Sequence, residues 1–437
     1  MNLQKQLQKL SEAASALESS QARARLLRLF DDSTFVEIDR LARSGDKPAE
    51  VVAGYGTVDG CPVYAFAQDR DVNLGAIGKA QADKICKVLA LAAQNGVPVV
   101  GIFDSDGAKL GEGIDAMDAI AEILRASNNI SGVVPQIVVV AGACVGSAAV
   151  IAANADIVIA AKGADYYLNP GDENGTADIV AEDADAAVDK ARELITLLPS
   201  NNLSMPLSFE MDNAPMLECD SISGVIEAVA DSGTAVVLGD GANKTALARV
   251  NGTVCGIVAI AEQKLSDSEA ARVARFVRMC DGFSLPVVTF VDCEGFASIS
   301  GAAKLSHAYA EATTAKVTVI AGKAYGSAYI AVAGKSAGAD VVLAWPTAVI
   351  LPLAPEAAIH IFWKDRLQNL TNPVEERKKL AEEFAETEGD AVSAATKGYV
   401  TDVIAPSETK SKLTAVLDML AGKRVSRLPK KHSNIVL

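Results

Sequence analysis

Two similar stretches decide the fold: GACVGSAAVIAANADIVIA, which begins at Gly142, and GKAYGSAYIAVAGKSAGADVVLA, which begins at Gly322. Each has a glycine-serine turn, then an alanine-rich run typical of a helix, then a β-branched run typical of a strand. Another apolar strand precedes each turn, at positions 136–140 and 316–320. A strand–turn–helix–strand unit that occurs twice predicts two homologous domains.

The repeat extends to the N-terminal side of both stretches. GYGTVDGCPVYAFAQ from Gly54 is similar to LARVNGTVCGIVAIAE from Leu247. Each is typical of a hairpin, because the Asp-Gly and Asn-Gly turns tolerate positive φ angles. The elements that follow are helices at 80–94 and 267–281 and proline-led apolar strands from Pro98 and Pro286. Continuous apolar strands are typical of a sheet covered on both faces, so the pattern predicts an α/β protein.

A segment without periodicity separates the two halves. Residues 196–230 are rich in Pro, Asn and Ser, which is typical of a linker. We therefore expect an N-terminal domain at 1–215 and a C-terminal domain at 216–437.

The composition is that of a globular, acidic protein. Of the 437 residues, 50% are hydrophobic and 22% are charged, and the formal net charge is -15. An acidic surface repels phosphates, so we expect no nucleic acid partner. The seven cysteines are scattered and do not form paired metal-ligand motifs, which favours reduced thiols in a cytoplasmic protein, and no metal site is expected.

The start of the chain is an amphipathic helical pattern, MNLQKQLQKLSEAASAL, without the apolar core of a signal peptide. No apolar run reaches the roughly 20 residues that a membrane span needs.

The two glycine-serine turns are candidate catalytic elements. At Gly146-Ser147-Ala148 and at Gly326-Ser327-Ala328, the first N–H groups of a helix have no partner within that helix. Two such amides can hold an oxygen that becomes negative during a reaction. The alternative is that the turns only allow close packing of helix on strand.

Several further motifs, in order along the chain, carry a resemblance to a known family. They are ARARLLRLFDDSTFVEID (22–39), FAQDRDV (66–72), KICKVLALA (84–92), DSDGAKLGEGID (104–115), SGVVPQIVVVAGACVGSAA (131–149), LPSNN (198–202), RFVRMCDGFSLPVVTFVD (275–292), AYAEATTAKVTVIAGKAYGSAY (308–329), GADVVLAWPTAVI (338–350) and KRVSRLPKKHSNIVL (423–437). From about Gln21 to Leu437 the chain resembles the carboxyltransferase β subunits of propionyl-CoA and methylcrotonyl-CoA carboxylases. It also resembles the α subunits of sodium-pumping methylmalonyl-CoA and glutaconyl-CoA decarboxylases.

The resemblance implies two tandem crotonase-like (ClpP/crotonase) ββα-superhelix domains, the first facing acyl-CoA and the second facing biotin. It implies transfer of a carboxyl group between biotin and the α-carbon of a short acyl-CoA, of the propionyl or methylmalonyl kind, through an enolate. The biotin would sit on a separate carrier protein. The partners would be a biotin carboxylase or a membrane decarboxylase subunit, and the chain would form a dimer-based homo-oligomer, up to a hexamer.

The resemblance also assigns roles to residues. The catalytic amides are those of Gly146, Ser147, Ser327 and Ala328. The substrate-binding residues are Ser105, Asp106, Gly107, Ala108, Lys109, Gly142, Ala143 and Cys144. The biotin-binding residues are Gly295, Phe296, Tyr325, Gly326, Tyr329 and Ile330.

The chain departs from the family pattern near the site. Lys109 stands for an Arg, Asp106 for a Gly and Glu294 for a Pro, and Ile330 stands where an Asp is common. The segment after CEGF (293–296) lacks about ten residues of the family's active-site loop. The alternative function is therefore a weak or inactive scaffold paralogue that keeps the fold and the assembly. Asp106, Lys109 and Glu112 either contact coenzyme A or form a solvated turn.

Overall fold

A computed structural model describes residues 3–15, 20–175, 177–209, 216, 219, 222–239, 241–368 and 372–435. The chain divides into two compact units, Met1–Pro206 and Leu207–Leu437. The predicted boundary between 215 and 216 borders residues 210–215, which lie outside the described residues, and it stays a prediction.

Unit 1 contains ten strands and six helices among its described residues. The strands are β1 (Val36–Glu37), β2 (Arg43–Ser44), β3 (Lys47–Pro48), β4 (Val51–Val58), β5 (Cys61–Gln68), β6 (Val99–Ser105), β7 (Gln136–Val145), β8 (Ile157–Ala161), β9 (Asp165–Tyr167) and β10 (Ile179–Ala181). The helices are α1 (Leu3–Ser15), α2 (Gln21–Leu29), α3 (Lys79–Asn95), α4 (Ile114–Ile130), α5 (Ser147–Ala153) and α6 (Ala184–Leu197).

The sheet of unit 1 has the order β1-β4-β5-β6-β7-β8-β10, and β9 pairs with the far end of β7. The hairpin β4–β5 is antiparallel, and the pairs from β5 to β10 are parallel. Every residue of β6 is buried, as expected for a strand covered on both faces. The Asp59-Gly60 turn has φ angles of 47° and 79°, and its two N–H groups donate to the Asp31 carboxylate at 3.0 Å.

Unit 2 repeats this plan. Its strands are β11 (Val236–Leu238), β12 (Lys244–Val250), β13 (Thr253–Ile260), β14 (Lys264–Leu265), β15 (Val287–Cys293), β16 (Gly295–Phe296), β17 (Lys316–Tyr325), β18 (Val341–Ala344), β19 (Val349–Leu351) and β20 (Asp402–Val403). Its helices are α7 (Val225–Val229), α8 (Asp267–Gly282), α9 (Ile299–Glu311), α10 (Pro355–Phe362), α11 (Pro373–Glu388), α12 (Ala391–Thr396) and α13 (Thr409–Leu420). The sheet order is β11-β12-β13-β15-β17-β18-β20, with β19 paired to β17.

The hairpin turn of unit 2 is held as in unit 1. The N–H groups of Asn251 and Gly252 donate to the Asp231 carboxylate at 3.0 and 2.7 Å. The predicted hairpins, and the helices predicted at 80–94 and 267–281, are confirmed as β4–β5, β12–β13, α3 and α8. All seven cysteines are free. Among the described residues, no helix combines the length and apolarity needed to cross a membrane.

The amphipathic start of the chain is helical where it is described, in α1, and residues 1–2 and 16–17 of that pattern lie outside the described residues.

Candidate active site

The turn of unit 1 lies where β7 ends and α5 begins. Gly146 has φ 60° and ψ −129°, a conformation that suits glycine. Its N–H donates to the carbonyl of Tyr167 in β9 at 2.9 Å, so this amide is already paired. The amide of Ser147 is the first of α5 and has no acceptor within the helix. Of the predicted donors Gly146 and Ser147, the second is therefore the one left for a ligand oxygen.

A second segment faces this turn. Gly107 has φ 91°, and a Cβ there would lie 2.9 Å from the Val145 oxygen and 3.8 Å from the Ser147 nitrogen. On its other side, the Gly107 oxygen accepts from Ile77 N–H at 2.7 Å, and Lys109 N–H donates to the Ile77 oxygen at 2.9 Å. Ile77 and Ala108 thus form a parallel bridge, in which the bonds of Ile77 go to Gly107 and Lys109, so the Ala108 N–H points away from Ile77.

Unit 2 builds the same arrangement. Gly326 has φ 41°, and its N–H donates to the Leu351 carbonyl in β19 at 2.9 Å. Gly295 faces the turn with φ 150°, and a Cβ there would lie 3.0 Å from Ser327 Oγ. The predicted donors Ser327 and Ala328 both follow the paired Gly326 amide.

In unit 2, the segment that faces the turn is the one around Gly295 and Phe296. As in unit 1, it is hydrogen-bonded to a neighbouring strand on the side away from the turn. Ala297 N–H donates to the Leu265 oxygen at 2.9 Å, so the Phe296 N–H points away from Leu265.

A pocket of about 550 Å³ opens at the turn of unit 2. Its lining residues are Gly326, Ser327, Tyr329, Ile330, Ile350, Leu351, Pro352, Glu388, Asp390, Ala394, Lys397 and Tyr399. Three of the predicted biotin-binding residues line it, whereas Tyr325 is buried behind it, and Gly295 and Phe296 lie outside the lining. Burial raises the pKa of Tyr325 to about 12, so its hydroxyl stays protonated at neutral pH.

The helix that follows the turn differs between the units. In unit 2, Tyr329–Ala333 form a π-helical turn, closed by the bond from Gly334 N–H to the Tyr329 oxygen at 2.7 Å. In unit 1, the matching helix α5 is a regular α-helix. π-Helical turns are frequent at functional sites because they shift side chains out of helical register. Ile330 in this turn is 70% exposed and faces the pocket.

Four of the eight predicted substrate-binding residues lie on β6 and β7, in two groups. Ser105 and Cys144 are fully buried and pair across β6 and β7, so they support the site from behind. Burial raises the pKa of the Cys144 thiol, which keeps it neutral. Gly142 and Ala143 line a polar cleft of about 450 Å³, together with Arg25, Arg70, Asp104, Ala141, Ala161, Lys162, Gly163, Ala164, Asp165, Glu182, Asp183 and Ala184.

The charged side chains of the turn after β6 are held in ion pairs. Asp106 pairs with Arg70 at 2.6 Å. Lys109 pairs with Glu50 at 2.8 Å and with Glu112 at 2.9 Å. Burial lowers the pKa of Lys109, but the hydrogen bonds to Glu50 and Glu112 outweigh this and raise it. The ammonium therefore stays charged.

In each unit, one aspartate that was not predicted from the sequence accepts a hydrogen bond from the strand that leads into the turn. The Asp104 carboxylate accepts from Ala143 N–H at 3.1 Å and pairs with Arg25 at 2.7 Å. In unit 2, Asp292 accepts from Lys323 N–H at 2.8 Å. A Cβ on Gly142 would lie 2.5 Å from the Asp104 carboxylate, which explains the glycine. The signal was present in the sequence, because FDSDG and VDCEG place an Asp at the same point of both repeats.

Among the residues that the structure describes, no cluster of side chains has the composition of a metal site.

Comparison with known proteins identifies the family. The carboxyl transferase domain model matches residues 18–169 and 170–435. Methylmalonyl-CoA decarboxylase subunit alpha of Propionigenium modestum is 35% identical over 480 aligned positions, which cover 95% of this chain and 93% of that protein. Propionyl-CoA carboxylase beta chain of Saccharopolyspora erythraea is 35% identical over 492 positions, covering 95% and 90%. Both alignments are longer than this chain, so the relatives carry residues that it lacks.

A solved structure gives the same answer for the fold. Transcarboxylase 12S, described as a hexamer assembly with methylmalonyl-coenzyme A and methylmalonic acid bound, is 30% identical with a TM-score of 0.89, and all of both chains is covered. The match confirms the predicted α/β class with two tandem crotonase-like domains. The chain thus belongs to the carboxyl transferase domain family of enzymes, as its motifs predicted.

Proposed function

We propose that the chain is the carboxyltransferase subunit of a biotin-dependent enzyme and moves a carboxyl group between biotin and the α-carbon of a short acyl-CoA. The observation that carries the proposal is the duplicated turn, in which an unpaired helix-start amide faces an extended segment across a glycine. Two such sites suit a reaction between two carbonyl compounds, because each can stabilise the negative charge that develops on one of the two oxygens. The methylmalonyl-CoA and propionyl-CoA enzymes among the relatives favour an acyl group of that size.

Unit 1 takes the acyl-CoA in this proposal. The Ser147 and Ala108 amides hold the thioester oxygen as it gains negative charge. An enolate forms by loss of the α-proton when the acyl group is carboxylated, and by loss of the carboxyl group in the reverse direction. Backbone donors fixed in advance stabilise that charge without reorganising, and the loss of one donor costs about 10²- to 10³-fold in rate. Gly107 keeps the space in front of Ser147 open.

Unit 2 takes the biotin. When bound, biotin supplies the ring nitrogen that exchanges the carboxyl group for the α-proton of the acyl group. The amides of Ser327 and Ala328, at the start of the helix, would hold the ureido oxygen of biotin, and the Phe296 amide on the facing segment is a further donor. The apolar walls of the pocket, which include Tyr329, Ile330 and Leu351, suit the hydrocarbon part of the ring system.

The remaining parts of the proposal concern assembly. The chain would receive biotin from a separate carrier protein, in the cytoplasm, and would work with a biotin carboxylase or a membrane decarboxylase subunit. The hexamer described for transcarboxylase 12S supports a homo-oligomer of the same kind.

The test uses free biotin as the acceptor. We expect the purified protein to transfer the carboxyl group of methylmalonyl-CoA to free biotin, measured as propionyl-CoA formed only when biotin is present. Gly146→Pro should abolish the activity, because proline cannot adopt φ 60° and lacks the N–H that Tyr167 binds. If the protein neither turns over nor binds acyl-CoA in calorimetry, the scaffold alternative replaces the proposal.

A further inference from the structure

A buried ion pair in unit 1 lies directly behind the turn that carries Ala108. Glu50 precedes β4 and is 0% exposed. Its Oε1 accepts from Asn73 Nδ2 at 2.8 Å and pairs with Lys109 Nζ at 2.8 Å, whereas its Oε2 is buried without a partner. The Lys109 ammonium also contacts the Ser44 hydroxyl and pairs with Glu112 at 2.9 Å.

This cluster fixes both ends of the turn. Lys109 is bound through its backbone to Ile77 and through its side chain to Glu50. Glu112, at the far end, accepts from Lys79 N–H at 2.8 Å. The segment from Gly107 to Glu112 is thereby attached to β4 and to the start of α3, and the direction of the Ala108 N–H is set by these attachments.

The second unit lacks the pair at equivalent positions. Glu50 stands nine residues before Asp59 of the first hairpin turn, and the residue nine before Asn251 of the second is Ala242. Lys109 stands two residues after Gly107, and the residue two after Gly295 is Ala297. Both partners of the ion pair are alanines in unit 2, although the backbone bond from position 297 to Leu265 is kept.

We infer that Glu50 and Lys109 are positioning residues that adapt the turn of unit 1 to acyl-CoA, and that Lys109 is not a ligand of the coenzyme A phosphates. The inference rests on the proposed function. The Lys109 side chain is 20% exposed, and two carboxylates and a hydroxyl surround its ammonium. Its charge is therefore balanced within the protein, and its donors are directed at Glu50, Glu112 and Ser44.

The experiment compares Glu50→Gln, Lys109→Met, the double variant and Lys109→Arg in the methylmalonyl-CoA and free biotin assay. We expect Lys109→Met to lower kcat about 10- to 100-fold, because a small displacement of a catalytic amide is costly. We expect Glu50→Gln to lower kcat about tenfold and the double variant to be no worse than Lys109→Met, because the two residues act as one unit. Lys109→Arg should restore most of the activity.

Binding separates positioning from direct contact. In calorimetry with coenzyme A, the dissociation constant should change less than about threefold in every variant, because a lost positioning group affects kcat more than ground-state binding. A matched control is Glu37→Gln, which breaks the partly buried pair with Arg23 elsewhere in unit 1. It should leave kcat unchanged even where it lowers the melting temperature.

Three results would overturn the inference. The first is coenzyme A binding that weakens tenfold or more in Lys109→Met and recovers in Lys109→Arg, since that describes a phosphate ligand. The second is additive losses in the double variant. The third is a loss in Glu37→Gln equal to that in Glu50→Gln, which would indicate general destabilisation. Failure of the wild-type protein to use biotin would instead count against the proposed function.

Discussion

The two units share a turn but differ in what surrounds it. In unit 1, the chain runs from β9 to β10 through residues 168–178, and the turn after β6 is held by the Glu50–Lys109 pair. In unit 2, residues 352–401 between β19 and β20 contain α10, α11 and α12 and wall the 550 Å³ pocket. In the proposed function, the common part supplies the backbone donors, and the differing parts determine which reactant each turn receives. A duplicated domain can thus divide the two reactants of one reaction between its copies.

The largest effect that sharpens this comparison is expected from glycine-to-alanine changes at the two turns. A Cβ on Gly326 would lie 2.9 Å from the Pro352 oxygen, whereas a Cβ on Gly146 would lie 3.9 Å from its nearest neighbour, the Leu168 oxygen. Both alanines are strained at positive φ, but only Gly326→Ala also clashes with backbone. We expect kcat for carboxyl transfer to biotin to fall about 100-fold in Gly326→Ala and about tenfold in Gly146→Ala. Equal losses would show that the two turns are closer in geometry than the structure indicates.

A second comparison concerns the aspartates under the two hairpins. Asp231 pairs with Lys410 at 3.0 Å, and both side chains are 5% exposed or less. Asp31 pairs with Arg192 at 2.9 Å, with both side chains 22–28% exposed. Because Asp231→Asn leaves a buried ammonium without its partner, we expect a loss of about 3–5 kcal/mol in the free energy of unfolding. For Asp31→Asn, which loses a more exposed ion pair and weakens the bonds to the turn N–H groups, we expect a smaller loss of about 1–2 kcal/mol.

Urea denaturation can assign these losses to their units. Both tryptophans, Trp345 and Trp363, lie in unit 2, so fluorescence reports the unfolding of unit 2 and circular dichroism reports both units. Asp31→Asn should shift the dichroism transition and leave the fluorescence transition in place. The comparison fails if Asp31→Asn costs as much as Asp231→Asn.

The smallest effect is expected at the serines of the turns. Ser147 Oγ is buried without a hydrogen-bond partner, whereas Ser327 lines the open pocket. An unsatisfied buried hydroxyl destabilises the fold, so Ser147→Ala should raise the free energy of unfolding by about 1 kcal/mol. Ser327→Ala should change it by less than about 0.5 kcal/mol. Circular dichroism in urea measures both, and destabilisation by Ser147→Ala would mean that its hydroxyl has a partner in solution.

Much of the fold could be predicted because its signals are local. The Asp-Gly and Asn-Gly turns, the proline-led strands and the glycine-serine turns each occupy a few consecutive residues and occur twice, so each copy supported the interpretation of the other. The site was harder to predict because its partners are distant in sequence. Glu50 meets Lys109 across 59 positions, and no local pattern marks either residue as part of a pair.

The backbone partners of the turns were not predictable for a different reason. The carbonyls of Tyr167 and Leu351 that bind Gly146 and Gly326 belong to three-residue strands with different sequences, DYY and VIL. A carbonyl is present in every residue, so its position depends on the path of the chain and not on the kind of side chain. Among the described residues of unit 1, no helix corresponds to α10–α12, so the comparison of the two halves could not reveal them.

The bonds from Gly146 to Tyr167 and from Gly326 to Leu351 have a consequence for how such a site evolves. Where main-chain amides do the chemistry, the residue beside the reactant can drift among small side chains without erasing the activity. Selection then acts on the glycine and on the path of the neighbouring strand. The common origin of two such domains is then visible in the path of the main chain. Duplicated domains can come to bind different reactants while the same main-chain N–H groups contact them.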